Sequence, residues 1–338
     1  MKPTTFAGLA VATALALAIA VTTYAAQNRW AQPKVSGQPL FPGLAAQAGR
    51  IARIEIKQGE KSLTLARDKD GWTLADRGSY PAKADAARGL LVKLAQAELV
   101  EAKTRNKERF GLLELEDPEG KEAKSRLLRL TDDKGATIAE AVVGKKRYDA
   151  FGSSKSGTYV RKPGDTQTWL SNADLAVSVA PRDWVQPGVM DLTAAKIAKL
   201  TVEMPGEEPL VIQRDVADAS KHVLAAMPEG KKLKETGGIE AIVRAAGSIE
   251  LEDVRKPTGA GEKAGTARIE ADGGLTVTLD LRKQGEDYWL TLEATAGEGE
   301  AKKTAEEIAK RAQGWELKVP SYKAQSILKR RADLFAAS

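Results

Sequence analysis

The chain has a single histidine, His222, set in Ser220-Lys221-His222-Val223. A histidine base needs a nucleophile to deprotonate and a third group to orient it, and no matched acid pattern lies near residue 222. His222 therefore reads as a structural or surface residue. One histidine and no cysteine exclude two-histidine metal sites, thiolate metal sites, disulfides and cysteine nucleophiles. Ser326-Ile327-Leu328-Lys329 has the S-x-x-K spacing that places a serine and an activating lysine on one helical face. Neither S-D-N nor K-T-G accompanies it, and the adjoining Arg330 and Arg331 make it a solvated basic helix end.

Two glycine-rich stretches resemble functional loops only at first sight. Gly152-Ser153-Ser154-Lys155-Ser156-Gly157 lacks the G-x-S-x-G arrangement, and no Gly-Lys pair in the chain completes a P-loop, so it reads as a hairpin loop before a strand at Tyr159. Gly259 to Gly265 follows Lys256-Pro257 and reads as a loop. Asp68-Lys69-Asp70-Gly71 and Asp132-Asp133-Lys134-Gly135 lack the later acidic ligands of a calcium loop, and their Asp and Gly suit turns between strands. No catalytic, cofactor-binding or metal-ligating residue is nominated, and the expected role is non-enzymatic.

A length of 338 residues suits one to three domains, since domains run to roughly 100–200 residues. The formal charge of +6, from 52 basic and 46 acidic residues, mildly favours anionic lipid, glycan or an acidic protein face. Nucleic acid is a poor candidate: aromatics make up 5% of the chain, and no basic run has aromatics interleaved.

The elements that would position any site begin with a segment of another kind. Pro3 to Asn28 carries no charged side chain, and Phe6 to Val21 is apolar apart from Gly8 and Thr13. About 20 mostly apolar residues cross a bilayer core, and Lys2 before them keeps the N-terminus cytoplasmic and sends the remainder across. Residues 1–26 are thus expected to form a transmembrane anchor. The competing reading is a cleaved signal peptide with Thr23 and Ala25 before the cut. Residues 27–49, with Pro33, Pro39, Pro42 and three glycines, read as a linker, and Trp30 is placed to sit at headgroup level.

Beyond the linker the chain echoes itself. Ile51-Ala52-Arg53-Ile54-Glu55-Ile56 and Ile197-Ala198-Lys199-Leu200-Thr201-Val202 share the alternation of half-buried strands, and Leu63–Asp68 matches Leu210–Asp215 in nearly the same register. A helical stretch follows in each half, one starting near Asp85 as N-cap with Ala87, Leu90, Leu91 and Leu94 on one face, the other covering Ile239, Ile242, Val243 and Ala246. Hairpin signals come next at Asp132–Gly135 and Lys283–Gly285. The expected fold is α+β: two tandem β-β-α-β-β repeats with mainly antiparallel sheets, spanning 50–188 and 189–338.

The chain resembles a bacterial family known as domain of unknown function 4340. The residues that carry the likeness are Leu40-Phe41-Pro42-Gly43-Leu44, Gly71-Trp72, Tyr80-Pro81-Ala82, Phe110-Gly111-Leu112 with Asp117-Pro118, Tyr159-Val160-Arg161 and Asp183-Trp184. Leu113-Glu114-Leu115-Glu116 stands before Asp117 as an insertion relative to the usual pattern. The resemblance implies an envelope protein with one membrane segment, often encoded beside ABC-type transporter components similar to those of gliding motility. It implies an accessory or scaffold role in the periplasm, held to the inner membrane, with envelope or transporter proteins as partners. A binding module for anionic lipid or glycan is the alternative.

Overall fold

The computed structural model describes residues 37–152, 155–175, 177–234 and 238–336. The expected anchor at 1–26 and most of the linker lie outside the described residues. Among those described, no helix is long and apolar enough to cross a membrane.

After β1 (Gln38–Pro39) and the short helix α1 (Leu44–Gln47) come β2 (Arg53–Gln58), β3 (Lys61–Arg67), β4 (Trp72–Leu74), β5 (Tyr80–Pro81) and helix α2 (Ala84–Gln96). Strands β6 (Glu98–Ala102), β7 (Arg126–Thr131), β8 (Thr137–Arg147), β9 (Gly157–Arg161) and β10 (Thr168–Ser171) follow. The later half holds β11 (Gly188–Asp191), β12 (Ile197–Glu203), β13 (Leu210–Arg214), β14 (His222–Leu224) and helix α3 (Gly238–Gly247). It continues through β15 (Ser248–Glu250), β16 (Asp253–Arg255), β17 (Glu262–Ala271), β18 (Leu275–Gln284) and β19 (Asp287–Thr295). Helix α4 (Gly299–Ala312), β20 (Glu316–Val319) and α5 (Ser321–Ile327) end it. The class is α+β, as expected, with antiparallel sheets.

Two compact units form, and they are not contiguous halves of the chain. One comprises the chain up to Ser62 with Arg88–Val177; the other comprises Leu63–Ala87 with Ser178–Ser338. Sequence reasoning expects a division between 188 and 189; the second unit instead also takes a 25-residue piece from early in the chain.

In the first unit the strand order is β1-β6-β10-β9-β8-β7-β2. The alternation read at Ile51–Ile56 is realised here: Ile54 faces Leu130 and Ile56 faces Leu128, all four buried. Asp132 closes the β7–β8 hairpin by accepting the amides of Lys134 (3.0 Å) and Ala136 (2.8 Å), the turn role expected of it. Asp85 is not the cap of α2. It lies inside the first turn, where a carboxylate is favoured by the helix dipole.

In the second unit the order is β16-β20-β19-β18-β17-β12-β13-β14. Leu279 faces Leu292 and Leu200 faces Ile269 across the central strands, and all four are buried. More than two strands precede each helix: β2 to β5 before α2, and β12 to β14 before α3. At three residues β4 and β14 are too short to display an alternating period. The stretch Gly259–Gly265 is only partly loop, because β17 starts at Glu262. Gly265 fits within that strand at a bulge where a Cβ would meet the Glu203 carbonyl at 2.7 Å.

The early segment of the second unit is a meander, with Leu65 opposite Leu74 and Thr73 opposite Pro81. Its outer end is fixed by specific contacts inside that unit. Arg77 Nε lies 2.7 Å from Asp253 Oδ1 on β16. Burial raises the Asp76 carboxyl, and the neighbouring Arg77 charge opposes this. Tyr80 donates its hydroxyl to the Arg311 carbonyl at 2.9 Å and packs edge-on against Trp315, with centroids 5.0 Å apart. The Lys83 amide reaches the Trp184 carbonyl at 2.7 Å.

Burial pushes the Tyr80 phenol up from 10.0 to about 12, with Arg311 opposing. Because the folded state holds this proton more tightly, its stabilising share is complete below pH 10 and is lost as pH rises through about 12. Tyr80→Phe should lose about 1 kcal/mol at neutral pH. It should also show a shallower loss of stability in that alkaline window, measured by urea unfolding. An unchanged alkaline slope would exclude Tyr80 as its source.

Candidate functional site

The first unit contains a cleft of about 590 Å³ whose walls include Phe110, Asp117-Pro118 and Arg161. These residues lie in the motifs singled out in the sequence, 51 positions apart at the extremes, and the fold brings them together. The loop between β6 and β7 starts the construction. Asn106 caps a short 3-10 turn (Lys107–Leu113) by accepting the Glu108 amide at 3.0 Å, which presents Phe110 inward. The turn ends at Glu114, a non-glycine residue at φ 54°. The chain then reverses so that the Leu115 amide bonds the Phe110 carbonyl at 2.9 Å and Leu115 is fully buried.

Glu116 pins the rest of the loop. Its Oε1 accepts the amides of Lys124 (2.5 Å) and Ser125 (2.9 Å), and its carbonyl accepts the Ser125 hydroxyl at 2.9 Å. Its other carboxylate oxygen is buried without a hydrogen-bond partner among the described residues. Gly144 on β8 permits the loop to lie this close, since a Cβ there would stand 2.3 Å from the Leu113 carbonyl oxygen and 2.9 Å from that of Glu114. Leu113–Glu116, an insertion in sequence terms, therefore supplies both the core anchor and the pin.

Arg161, from the end of β9, crosses the cleft floor. Its Nε donates to the Leu115 carbonyl at 2.9 Å, and its guanidinium lies 5.3 Å from the Phe110 ring centroid. Burial pulls Arg161 below its usual value, against the opposing charges of Asp117, Asp165 and Glu116. It remains charged, as arginine does in proteins. Arg129 is committed to Glu140 at 2.7 Å, with Glu55 at 3.7 Å. Leu127, Val142 and Pro163 add apolar wall. Five carboxylates (Glu116, Asp117, Glu119, Glu140, Asp165) face three cations (Lys107, Arg129, Arg161), so the cleft is acidic in a chain of net charge +6.

This arrangement can hold a ligand by shape and charge. Two of its cations are spent inside the fold, which leaves Lys107 as the cation at the rim. Among the described residues there is no group of three or more His, Asp or Glu side chains placed to hold a metal ion.

A family model described as "Domain of unknown function (DUF4340)" matches residues 72–268. The chain belongs to this family. No curated protein and no solved structure matches the chain. The DUF4340 match runs from β4 to β17 and takes in the whole β6–β7 loop and β9, so every residue lining the acidic cleft falls inside it. The other DUF4340-like motifs build core and turns instead. Leu40, Leu44, Trp72 and Trp184 are buried, and Trp184 Nε1 donates to the Ser178 carbonyl at 2.8 Å.

The residues weighed for chemistry in the sequence are scattered. His222 is buried on β14, with Nδ1 3.1 Å from Glu240 Oε1 and Nε2 2.9 Å from the Ile197 carbonyl, the structural role expected of it. The Ser326 hydroxyl is committed to the Tyr322 carbonyl at 2.7 Å. Helix α5 stops at Ile327, so Lys329 does not continue its face. Asp68 accepts the amides of Asp70 and Gly71 at 2.9 and 3.0 Å, closing a turn. Residues 153–154 of the Gly152–Gly157 loop lie outside the described residues. A second cleft of about 520 Å³, in the other unit, is lined by Leu233, Ile239 and Leu334 with Lys234, Lys329, Glu240 and Asp333.

Replacing Glu116 by alanine strands two backbone donors. Glu116→Ala should therefore cost about 1–3 kcal/mol, while Glu116→Gln, which keeps an acceptor in place, should cost less than about 1 kcal/mol. Urea unfolding of both variants checks this, and equal losses would deny Glu116 its role as the loop's pin.

Proposed function

We propose that this DUF4340 member is a non-enzymatic accessory or scaffold protein. It is tethered to the inner membrane by its N-terminal apolar segment, its folded units lie in the periplasm, and it serves an ABC-type transporter complex. The observation that carries the binding role is the cleft of the first unit. Residues from three separate sequence motifs converge on a space of about 590 Å³ with apolar walls and charged rims, within the size range of ligand-binding clefts and so large enough to seat side chains of a partner. The uncharged stretch from Pro3 to Asn28 supports the tether. The excess of carboxylates in the cleft favours a protein partner over the anionic lipid or glycan that net charge alone suggests.

The two halves descend, in this reading, from one duplicated unit. Strand order supports it: β6-β10-β9-β8-β7-β2 corresponds strand for strand to β16-β20-β19-β18-β17-β12. The following pair β3–β4 corresponds to β13–β14, each an antiparallel hairpin before a helix. Duplication would give a scaffold two related sheets on which to diverge, one of them carrying the acidic cleft.

A photo-reactive side chain placed at Leu112, exposed two residues after the cleft residue Phe110, should cross-link in living cells to a permease or another inner-membrane protein identified by mass spectrometry. Cross-links confined to cytoplasmic proteins, or none to any envelope protein, would contradict the proposal.

A further inference from the structure

We infer that the acidic cleft takes a basic segment of a partner protein, with an arginine or lysine seated among Glu116, Asp117 and Asp165 and a neighbouring apolar side chain against Phe110 and Leu127. This deepens the docking role proposed above and rests on it. Charge complementarity carries it. The chain as a whole is basic, so a carboxylate-rich cleft is a local reversal of sign in the protein's own field.

The three cations of the cleft offset three of its five carboxylates, Arg161 facing Asp117, Asp165 and Glu116 among them, and a net negative charge remains. Arg129 is held by Glu140 and Glu55, and Arg161 spends its Nε on a backbone carbonyl while lying against the Phe110 ring. Asp117 and Asp165 are exposed, and each uses one oxygen to close its own turn, Asp117 on the Glu119 amide and Asp165 on the Gln167 amide, both at 3.0 Å. A carboxylate accepts at two oxygens, so each keeps capacity for an incoming guanidinium or ammonium group. Glu116 adds a third carboxylate to the lining beside them. The apolar wall gives the aliphatic stem of the same side chain a surface to cover.

The test uses the full chain in detergent and two labelled peptides, one alternating leucine with arginine and the other leucine with glutamate, followed by fluorescence polarisation. The arginine peptide should bind, and binding should weaken as salt rises. Asp117→Asn with Asp165→Asn keeps both turn acceptors while removing two charges, and should weaken binding about tenfold or more. Lys107→Glu, at an exposed position on the rim, should tighten it and guards against a reading based on misfolding alone. Equal binding of the glutamate peptide, no binding of the arginine peptide, or affinities unchanged in both variants would overturn the inference. If that happened while cross-links from Leu112 still reached an envelope protein, the cleft's sign preference would be wrong and the docking role would stand. If those cross-links also failed, the docking role itself would fall.

Discussion

The structure depends on where the chain commits residues 63–87. Arg77 is bound to Asp253, the Tyr80 hydroxyl to the Arg311 carbonyl, and the Tyr80 ring lies against Trp315. Each partner sits more than 170 positions later in the sequence, so these contacts close long loops of chain. The loop-closure entropy is large but grows only with the logarithm of loop length, and a partly buried ion pair, a hydrogen bond and an aromatic contact can offset it together. Neither unit is then a continuous piece of chain.

That arrangement explains which parts of the fold were legible in sequence. The strand period at Ile51–Ile56 and Ile197–Val202, the hairpins at Asp132–Gly135 and Lys283–Gly285, and the helix faces at Leu90–Leu94 and Ile242–Ala246 are local signals, and they appear where expected. The domain boundary is not local. Leu63–Ala87 looks like the natural continuation of the first half, and nothing in its own composition announces that its anchors lie at 253, 311 and 315. Helix α4 is also faint in the sequence. Its buried face of Ala301, Ala305, Ile308 and Ala312 is built mostly from alanine, which gives a faint apolar stripe.

The cleft was half legible. Phe110, Asp117-Pro118 and Arg161 stood out as motifs, but as family markers with no assigned role. Their convergence depends on Gly144, which lets a loop carbonyl sit where a side chain would otherwise be, and on Glu116, whose carboxylate gathers two distant amides. Glu116 belongs to a Leu-Glu-Leu-Glu run that looks like ordinary amphipathic filler. Net charge misled in the same way: a sum of +6 over 338 residues says nothing of a local acidic face. His222 and Ser326 are used for internal bonds.

Hydrogen exchange under increasing denaturant tests the central claim most directly, because amides that open together exchange together. The amides of β4 and of the Ser79–Lys83 stretch should lose protection in the same step as those of β17 to β19, and at a different denaturant concentration from those of β7 to β9. Loss of protection in step with β7–β9, while β17–β19 stay closed, would contradict the assignment of residues 63–87 to the second unit.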